Sequence, residues 1–209
     1  MKKIAFGILA IVSLASCKDN IKKVLVLSKG TAKINKEAKS ITVDESSGHE
    51  EQTFDVNSGD KVGYSVKSQA GEGSVEFPTN GYYIVNAKND TVVGGLQNYG
   101  AVEDRKTEFT QEDVKKNLDS LKLLVGNQNV SAANHNFFIL PNQAVKITDN
   151  LDAFIVGPYH RMTSVEAKEG KTPEVYRFYS IKEVREKIDK LDAMTKPADA
   201  TTTTPEKKK

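Results

Sequence analysis

Short apolar runs separated by turn residues constrain the fold of this chain more than any other feature. Residues 54–56 alternate apolar and polar side chains, the polar turn 57–60 follows, and residues 62–66 resume the alternation. A period of two is typical of half-buried strands, so this segment predicts a β-hairpin. Further short apolar runs lie at 24–27, 34, 41–43, 75–77, 82–85 and 92–93. Short strands with regular turns predict a small antiparallel sandwich or barrel.

The apolar period changes to that of a helix after residue 110. Thr110 is a favourable N-cap residue, an acidic first turn follows it, and Gly126 is placed to end the helix. The apolar face between them consists of Val114, Leu118, Leu121 and Val125.

A second helix is predicted near the end of the chain. Ser180 and Glu183 have the spacing of a capping box, and an amphipathic stripe follows. Between the two helices, strands are predicted at 137–140, 144–148, 154–156 and 175–179. The fold class expected is therefore mainly β or α+β: an antiparallel sandwich-like part, then an α+β part with two amphipathic helices.

The first 17 residues have the composition of an export signal. Lys2 and Lys3 precede an apolar stretch over 4–12, and small residues follow. The stretch is shorter than the roughly 20 apolar residues that a membrane-spanning helix needs.

Leu14-Ala15-Ser16-Cys17 resembles the lipobox of bacterial lipoproteins. The resemblance implies that the signal 1–16 is removed and that Cys17 becomes a lipidated first residue. Acyl chains would then anchor the protein to the membrane, because two chains bind a bilayer stably. Two alternatives remain open: a cleavable signal that happens to precede a cysteine, or an ordinary buried thiol at Cys17.

The residues after the cysteine bear on which membrane face carries the protein. Lys18 and Asp19 resemble the start of the sorting signal of Bacteroidota surface lipoproteins, whereas Asn20 departs from it. We therefore expect an anchor in the outer membrane, with the body facing either the periplasm or the cell surface.

The composition of each segment and the spacing of its apolar residues together predict how the chain is divided into segments. After the signal, residues 17–29 would form a lipidated cysteine with a short tether or first strand. A β-rich domain is expected over 30–104, an α+β domain over 105–194, and a disordered tail rich in Thr, Pro and Lys over 195–209.

Charge makes nucleic acid an unlikely class of partner. Removal of the predicted signal takes away Lys2 and Lys3 and leaves 28 basic against 28 acidic residues. Binding to phosphate backbones needs clustered Lys and Arg. The expected partners are the membrane, through lipid on Cys17, and an unknown protein or glycan.

No familiar catalytic or metal-binding pattern occurs in the sequence. The histidines His49, His135 and His160 are far apart and have polar neighbours, although they could converge in the fold. The glycines at 71, 73, 94 and 95 are interpreted as turn residues. We therefore expect no cofactor, no metal and no enzymatic activity.

One segment stands out as a candidate binding surface. Tyr159, His160 and Arg161 place an aromatic ring, an imidazole and a guanidinium together at a turn. The leading hypothesis is a non-catalytic, lipid-anchored envelope protein that binds or scaffolds. The alternatives are a membrane-anchored glycan-binding accessory protein and an envelope hydrolase whose carboxylates meet only in the fold.

Overall fold

The computed structural model describes residues 20–44, 46, 48–97, 110–160 and 173–195. Its strands are β1 (Ile21–Lys29), β2 (Ala32–Asn35), β3 (Ser40–Val43), β4 (His49–Asn57), β5 (Val62–Ser68), β6 (Gly71–Phe77), β7 (Gly81–Ala87), β8 (Val92–Gln97), β9 (Asn136–Ile139), β10 (Gln143–Thr148), β11 (Phe154–Val156) and β12 (Val175–Ser180). Its helices are α1 (Gln111–Val125) and α2 (Ile181–Thr195).

The strands form three four-stranded sheets. The central sheet has the order β10-β7-β1-β4. The first outer sheet has the order β2-β3-β5-β6, and the second outer sheet has the order β11-β12-β8-β9. In the central sheet β1 and β7 are parallel neighbours, and both are almost entirely buried. Their continuous apolar runs fit this position, since a strand covered on both faces has no solvent side.

Alternate residues of the central sheet enter two different hydrophobic cores. Val24 and Val26 point into the core shared with the first outer sheet. Leu25 and Leu27 point into the core shared with the second outer sheet. The period of two in strand geometry therefore divides one apolar run between two packed layers.

The two helices cover the outer side of the second outer sheet. The Thr110 side chain accepts a hydrogen bond from the Asp113 backbone N–H to cap α1. In α2 the Glu183 backbone N–H donates to Ser180 Oγ at 3.2 Å. The predicted apolar stripes face inward, but only Leu118 in α1 and Val184 in α2 are fully buried. The helices therefore cover the sheet loosely.

The β-rich α+β fold class is confirmed. The tether or first strand at 17–29 is a strand from Ile21 onward. Both central and second outer sheets pair strands from either side of the predicted boundary near 104, as β7 pairs with β10 and β8 pairs with β9 and β12. The predicted signal, the tail after Thr195 and the residues Cys17 and Arg161 lie outside the described residues.

The predicted hairpin over 54–66 is wrong. Its first strand, β4, pairs with β1 in the central sheet, and its second strand, β5, pairs with β3 and β6 in the first outer sheet. The turn carries the chain from one layer to the next, so the two apolar faces meet across the core. Phe54 and Tyr64 pack with ring centroids 5.5 Å apart. Alternation fixes which side is buried, but not which strand is the neighbour.

The sandwich is also not purely antiparallel, since the pairs β1–β7, β3–β5 and β11–β12 are parallel. A parallel pair needs a crossover between its strands, and no local pattern marks which strands a crossover joins.

The interpretation of Gly73, Gly94 and Gly95 as turn residues is wrong as well, whereas Gly71 closes the turn at 69–70 with a φ of 102°. Gly71 and Gly73 belong to β6, and Gly94 and Gly95 lie in the middle of β8. Gly94 stands between Phe137 of β9 and Phe178 of β12 in the register. A Cβ at Gly94 would lie 2.2 Å from the Arg177 carbonyl oxygen. Glycine is used here because neighbouring backbone approaches closely.

Candidate functional site

Two of the three histidines converge in the fold. His49 at the start of β4 stacks on the Tyr159 ring, with centroids 4.2 Å apart and planes 21° apart. His160 follows directly, and its Nδ1 lies 2.8 Å from Glu51 Oε1. His135 lies elsewhere, with Nδ1 3.2 Å from the hydroxyl of Tyr176. We call His49, Glu51, Lys88, Tyr159 and His160 the junction cluster.

Tyr159 is held on three sides. Its backbone N–H donates to Glu183 Oε1 at 3.2 Å, and its hydroxyl lies 2.9 Å from Ser180 Oγ. The ring also lies under Lys88, whose Nζ is 5.1 Å from the centroid. The same Nζ is 2.7 Å from His49 Nδ1. Since an ammonium group has no acceptor, Lys88 donates and His49 Nδ1 accepts, which requires a neutral imidazole.

Burial shifts the pKa values of three members of the junction cluster. Burial and the Lys88 charge lower the pKa of His49. Burial lowers the pKa of Lys88, which is only 3% exposed. Burial raises the pKa of Glu51, while the nearby His160 opposes the shift. His160 Nδ1 and Glu51 Oε1 are close enough for an ion pair, but their geometry does not meet the angles of a hydrogen bond.

These contacts connect distant parts of the chain. They tie β4 and the end of β7 to the turn at 157–160 and to the first turn of α2. The side chains of Tyr159 and His160, predicted as a binding surface, are thus already used inside the protein, although 45% of Tyr159 is exposed. That they contact a ligand stays a prediction.

A cavity of about 500 Å³ lies between the second outer sheet and the two helices. Its floor is the middle of β8 and β12, where Gly95 adjoins Asn136 and Arg177. A Cβ at Gly95 would lie 2.5 Å from the His135 carbonyl oxygen. The volume is within the usual range for small-molecule sites, roughly 300–1,000 Å³. We call this space the helix-covered cavity.

Two cations and one aromatic ring lie together in the helix-covered cavity. The Lys187 Nζ lies 3.5 Å from the centroid of Tyr179, and Arg177 Cζ lies 5.1 Å from it. Neither cation has a carboxylate at ion-pair distance within the described residues. The described lining residues include no Asp or Glu. The described lining therefore carries two positive charges and no negative charge, in a chain whose acidic and basic residues are nearly balanced.

The remaining lining residues are amides, hydroxyls and leucines. Asn117, Ser120 and Gln128 make no side-chain hydrogen bond to another described residue. Leu121, Leu124 and Leu191 supply the apolar wall. Side chains with spare hydrogen-bonding capacity beside an apolar wall are typical of pockets that orient a polar ligand.

Sequence reasoning did not find this cavity. Its residues come from five elements, β8, α1, β9, β12 and α2, and from the loop after α1, and they are up to about one hundred positions apart. One local signal was present: Arg177 and Tyr179 alternate with buried Tyr176 and Phe178 in β12, so two polar groups face a side that helices must cover.

A second depression of about 550 Å³ is lined by α1 and by the end of α2, and it contains carboxylates. Two of them are paired with lysines: Glu112 with Lys116 at 2.9 Å and Asp192 with Lys122 at 2.9 Å. In the described part of the chain no group of three or more His, Cys, Asp or Glu side chains could hold a metal ion.

The comparisons with known proteins give no relative. No protein-family model matches the chain, and neither the curated proteins nor the solved structures contain a match. Among the described residues, neither helix has the length and apolar character needed to cross a membrane.

Proposed function

We propose that the chain is a lipid-anchored envelope protein that binds a small ligand, without chemical conversion, in the helix-covered cavity. The observation that carries the proposal is the set of cavity side chains whose polar atoms have no partner among the described residues. Asn117, Ser120 and Gln128 are solvent-exposed, so a ligand that enters the cavity exchanges their hydrogen bonds to water for hydrogen bonds to itself.

The lining chemistry supports binding over catalysis. General acid–base chemistry uses a His, Asp, Glu, Lys, Tyr or Cys within reach of a reacting group. Of these, the described lining contains Tyr179 and Lys187, and they are engaged with each other. The amides and Ser120 serve orientation instead.

Attachment to the membrane rests on the lipobox resemblance at Cys17. It is tested by expressing wild type and Cys17→Ser and separating membranes from soluble fractions. We expect the wild type in the membrane fraction and the variant in the soluble fraction after signal removal. A Cys17→Ser protein that still partitions with membranes would contradict the anchor.

Ligand binding is tested by releasing small molecules from the protein purified from its own envelope. Wild type is compared with Ser120→Trp, which places a large ring at a position that lines the cavity. The matched control is Lys116→Trp on the same helix, which does not line the cavity. Mass spectrometry should find a compound that is released by wild type and control but not by Ser120→Trp. Equal release from all three, or none from wild type, would contradict the proposal.

The hydrolase alternative has one observation in its favour, the three carboxylates of the second depression, Glu112, Asp119 and Asp192. It predicts hydrolysis of envelope glycans that Asp119→Asn abolishes. Glycan-binding remains the other alternative, and the released compound would identify it directly.

A further inference from the structure

The ligand class follows from the charges of the helix-covered cavity, and the inference rests on the binding function proposed above. Arg177 and Lys187 reach the same ring from different elements, β12 and α2. Elsewhere the lysines of this protein are often paired: Lys33, Lys61 and Lys67 each have a carboxylate within 2.9 Å. The two cavity cations lack such a partner among the described residues.

Arg177 and Lys187 both lie against the Tyr179 ring, and an anion that contacts either side chain gains charge-assisted hydrogen bonds there. The ring face is electron-rich and attracts both cations. A ring carries no net charge, however, so it does not neutralise the pair. Arg offers a planar fork of donors that fits carboxylate and phosphate groups, and Lys adds a mobile point charge.

The remaining lining residues of the cavity indicate what the uncharged part of the ligand is like. Asn117, Ser120 and Gln128 offer donors and acceptors, which suit hydroxyl and amide groups. The leucines of the wall suit an apolar face. About 500 Å³ is enough for a molecule of the size of one or two sugar rings.

We propose that the helix-covered cavity binds a small organic anion, a sugar-sized molecule with hydroxyl or amide groups whose carboxylate or phosphate contacts the cations Arg177 and Lys187. The anionic group provides orientation, and the amide side chains select the body. Nucleic acid is a poor fit, because its recognition uses many phosphate contacts along a surface.

The test is calorimetric titration of the full-length protein in detergent with matched pairs of probes. N-acetylmuramic acid is compared with N-acetylglucosamine, which lacks its lactyl carboxylate. Glucose 6-phosphate is compared with glucose, and inorganic phosphate is titrated alone. We expect one anionic sugar to bind at least about tenfold more tightly than its neutral match. The pair that shows the difference distinguishes a carboxylate from a phosphate ligand.

Variants locate the anion. Arg177→Gln and Lys187→Gln should each weaken binding of the anionic sugar by about tenfold. Arg185→Gln, an exposed position of α2 outside the cavity lining, is the matched control and should leave affinity unchanged. Thermal unfolding of each variant shows whether the fold is intact. Added NaCl should weaken the binding of the anionic sugar and leave the binding of the neutral sugar unaffected.

The outcomes separate this inference from the binding function itself. Equal affinity for a neutral sugar and its anionic match, or no binding of any anionic sugar, overturns the inference that the ligand is an anion. Binding of inorganic phosphate as tightly as the anionic sugars overturns the role of the amide side chains. A neutral compound released from wild type but not from Ser120→Trp would refute the inference that the ligand is an anion, while the proposed binding function would stand.

Discussion

Replacement of Gly94 by alanine tests whether the close approach of β8 and β12 is essential. A Cβ at this position would lie 2.2 Å from the Arg177 carbonyl oxygen and 2.7 Å from Phe178 Cα. Carbon atoms in contact are normally about 3.5–4.0 Å apart, so the strands must separate by roughly 1 Å. Both nearest atoms belong to the backbone, and no side-chain rotation relieves the contact.

The expected cost combines two effects. Overpacking a core costs about 1–3 kcal/mol. Separation of the strands also weakens about two backbone hydrogen bonds between β8 and β12, worth about 1 kcal/mol each. The free energy of unfolding should therefore fall by about 3–5 kcal/mol, a large share of the roughly 5–15 kcal/mol that stabilises a typical domain.

Urea denaturation followed by circular dichroism measures this loss. With a slope of about 2 kcal/mol per M, the midpoint should fall by roughly 2 M. Gly63→Ala is the matched control, since its Cβ would lie 3.7 Å from the Val75 carbonyl oxygen, an ordinary contact in β5. The control should change stability little, or raise it slightly. An unchanged midpoint for Gly94→Ala, or an equal fall for Gly63→Ala, would refute the steric argument.

Three further predictions concern His49 in the junction cluster, Tyr176 in the second outer sheet, and the α2 cap at Ser180. His49→Phe keeps the stack on Tyr159 but removes the titratable imidazole. The pKa of His49 is lowered in the folded protein, so wild type loses stability as pH falls through about 6.5. The unfolding midpoints of the variant should depend less on pH below that value, and parallel curves for the two proteins would contradict this. Burial and the Glu174 carboxylate raise the pKa of Tyr176 to about 12, so Tyr176→Phe should remove the last tyrosine to ionise in an absorbance titration, and loss of an earlier step instead would count against it. Ser180→Ala removes the α2 cap and the contact with the Tyr159 hydroxyl, so stability should fall by about 2 kcal/mol in urea unfolding, whereas a loss below about 0.5 kcal/mol would show that neither contact matters.

The elements were predictable because their signals are local. Strand alternation, the cap at Thr110 and the capping box at Ser180 depend on residues within a few positions of each other, and the structure contains all of them. The neighbours of each strand were not predictable. The same alternation over 54–66 fits a hairpin and a crossing between layers, and only the rest of the chain decides between them.

The cavity and the junction cluster could not be predicted for a related reason. Gly94 and Gly95 have the composition of a turn, and they become strand residues because Phe178, more than eighty positions later, packs against that backbone. His49 and Tyr159 show no pattern in sequence that links them. Their contact depends on the pairing of β4 with β1 and on the path of the chain after β11.

The proposed anchor and the proposed cavity are geometrically compatible. Ile21 is four positions after Cys17, so an anchored body would start within roughly 14 Å of the lipid. That places the beginning of β1 toward the membrane, together with Leu151, whose carbonyl accepts from Lys23 Nζ at 3.0 Å. The junction cluster lies at the opposite end, because His49 is the register partner of Lys29, the last residue of β1. The helix-covered cavity is separated from β1 by the second outer sheet. If Cys17 is the anchor, the junction cluster with Tyr159 and His160 would therefore lie at the end of β1 that is farther from the bilayer.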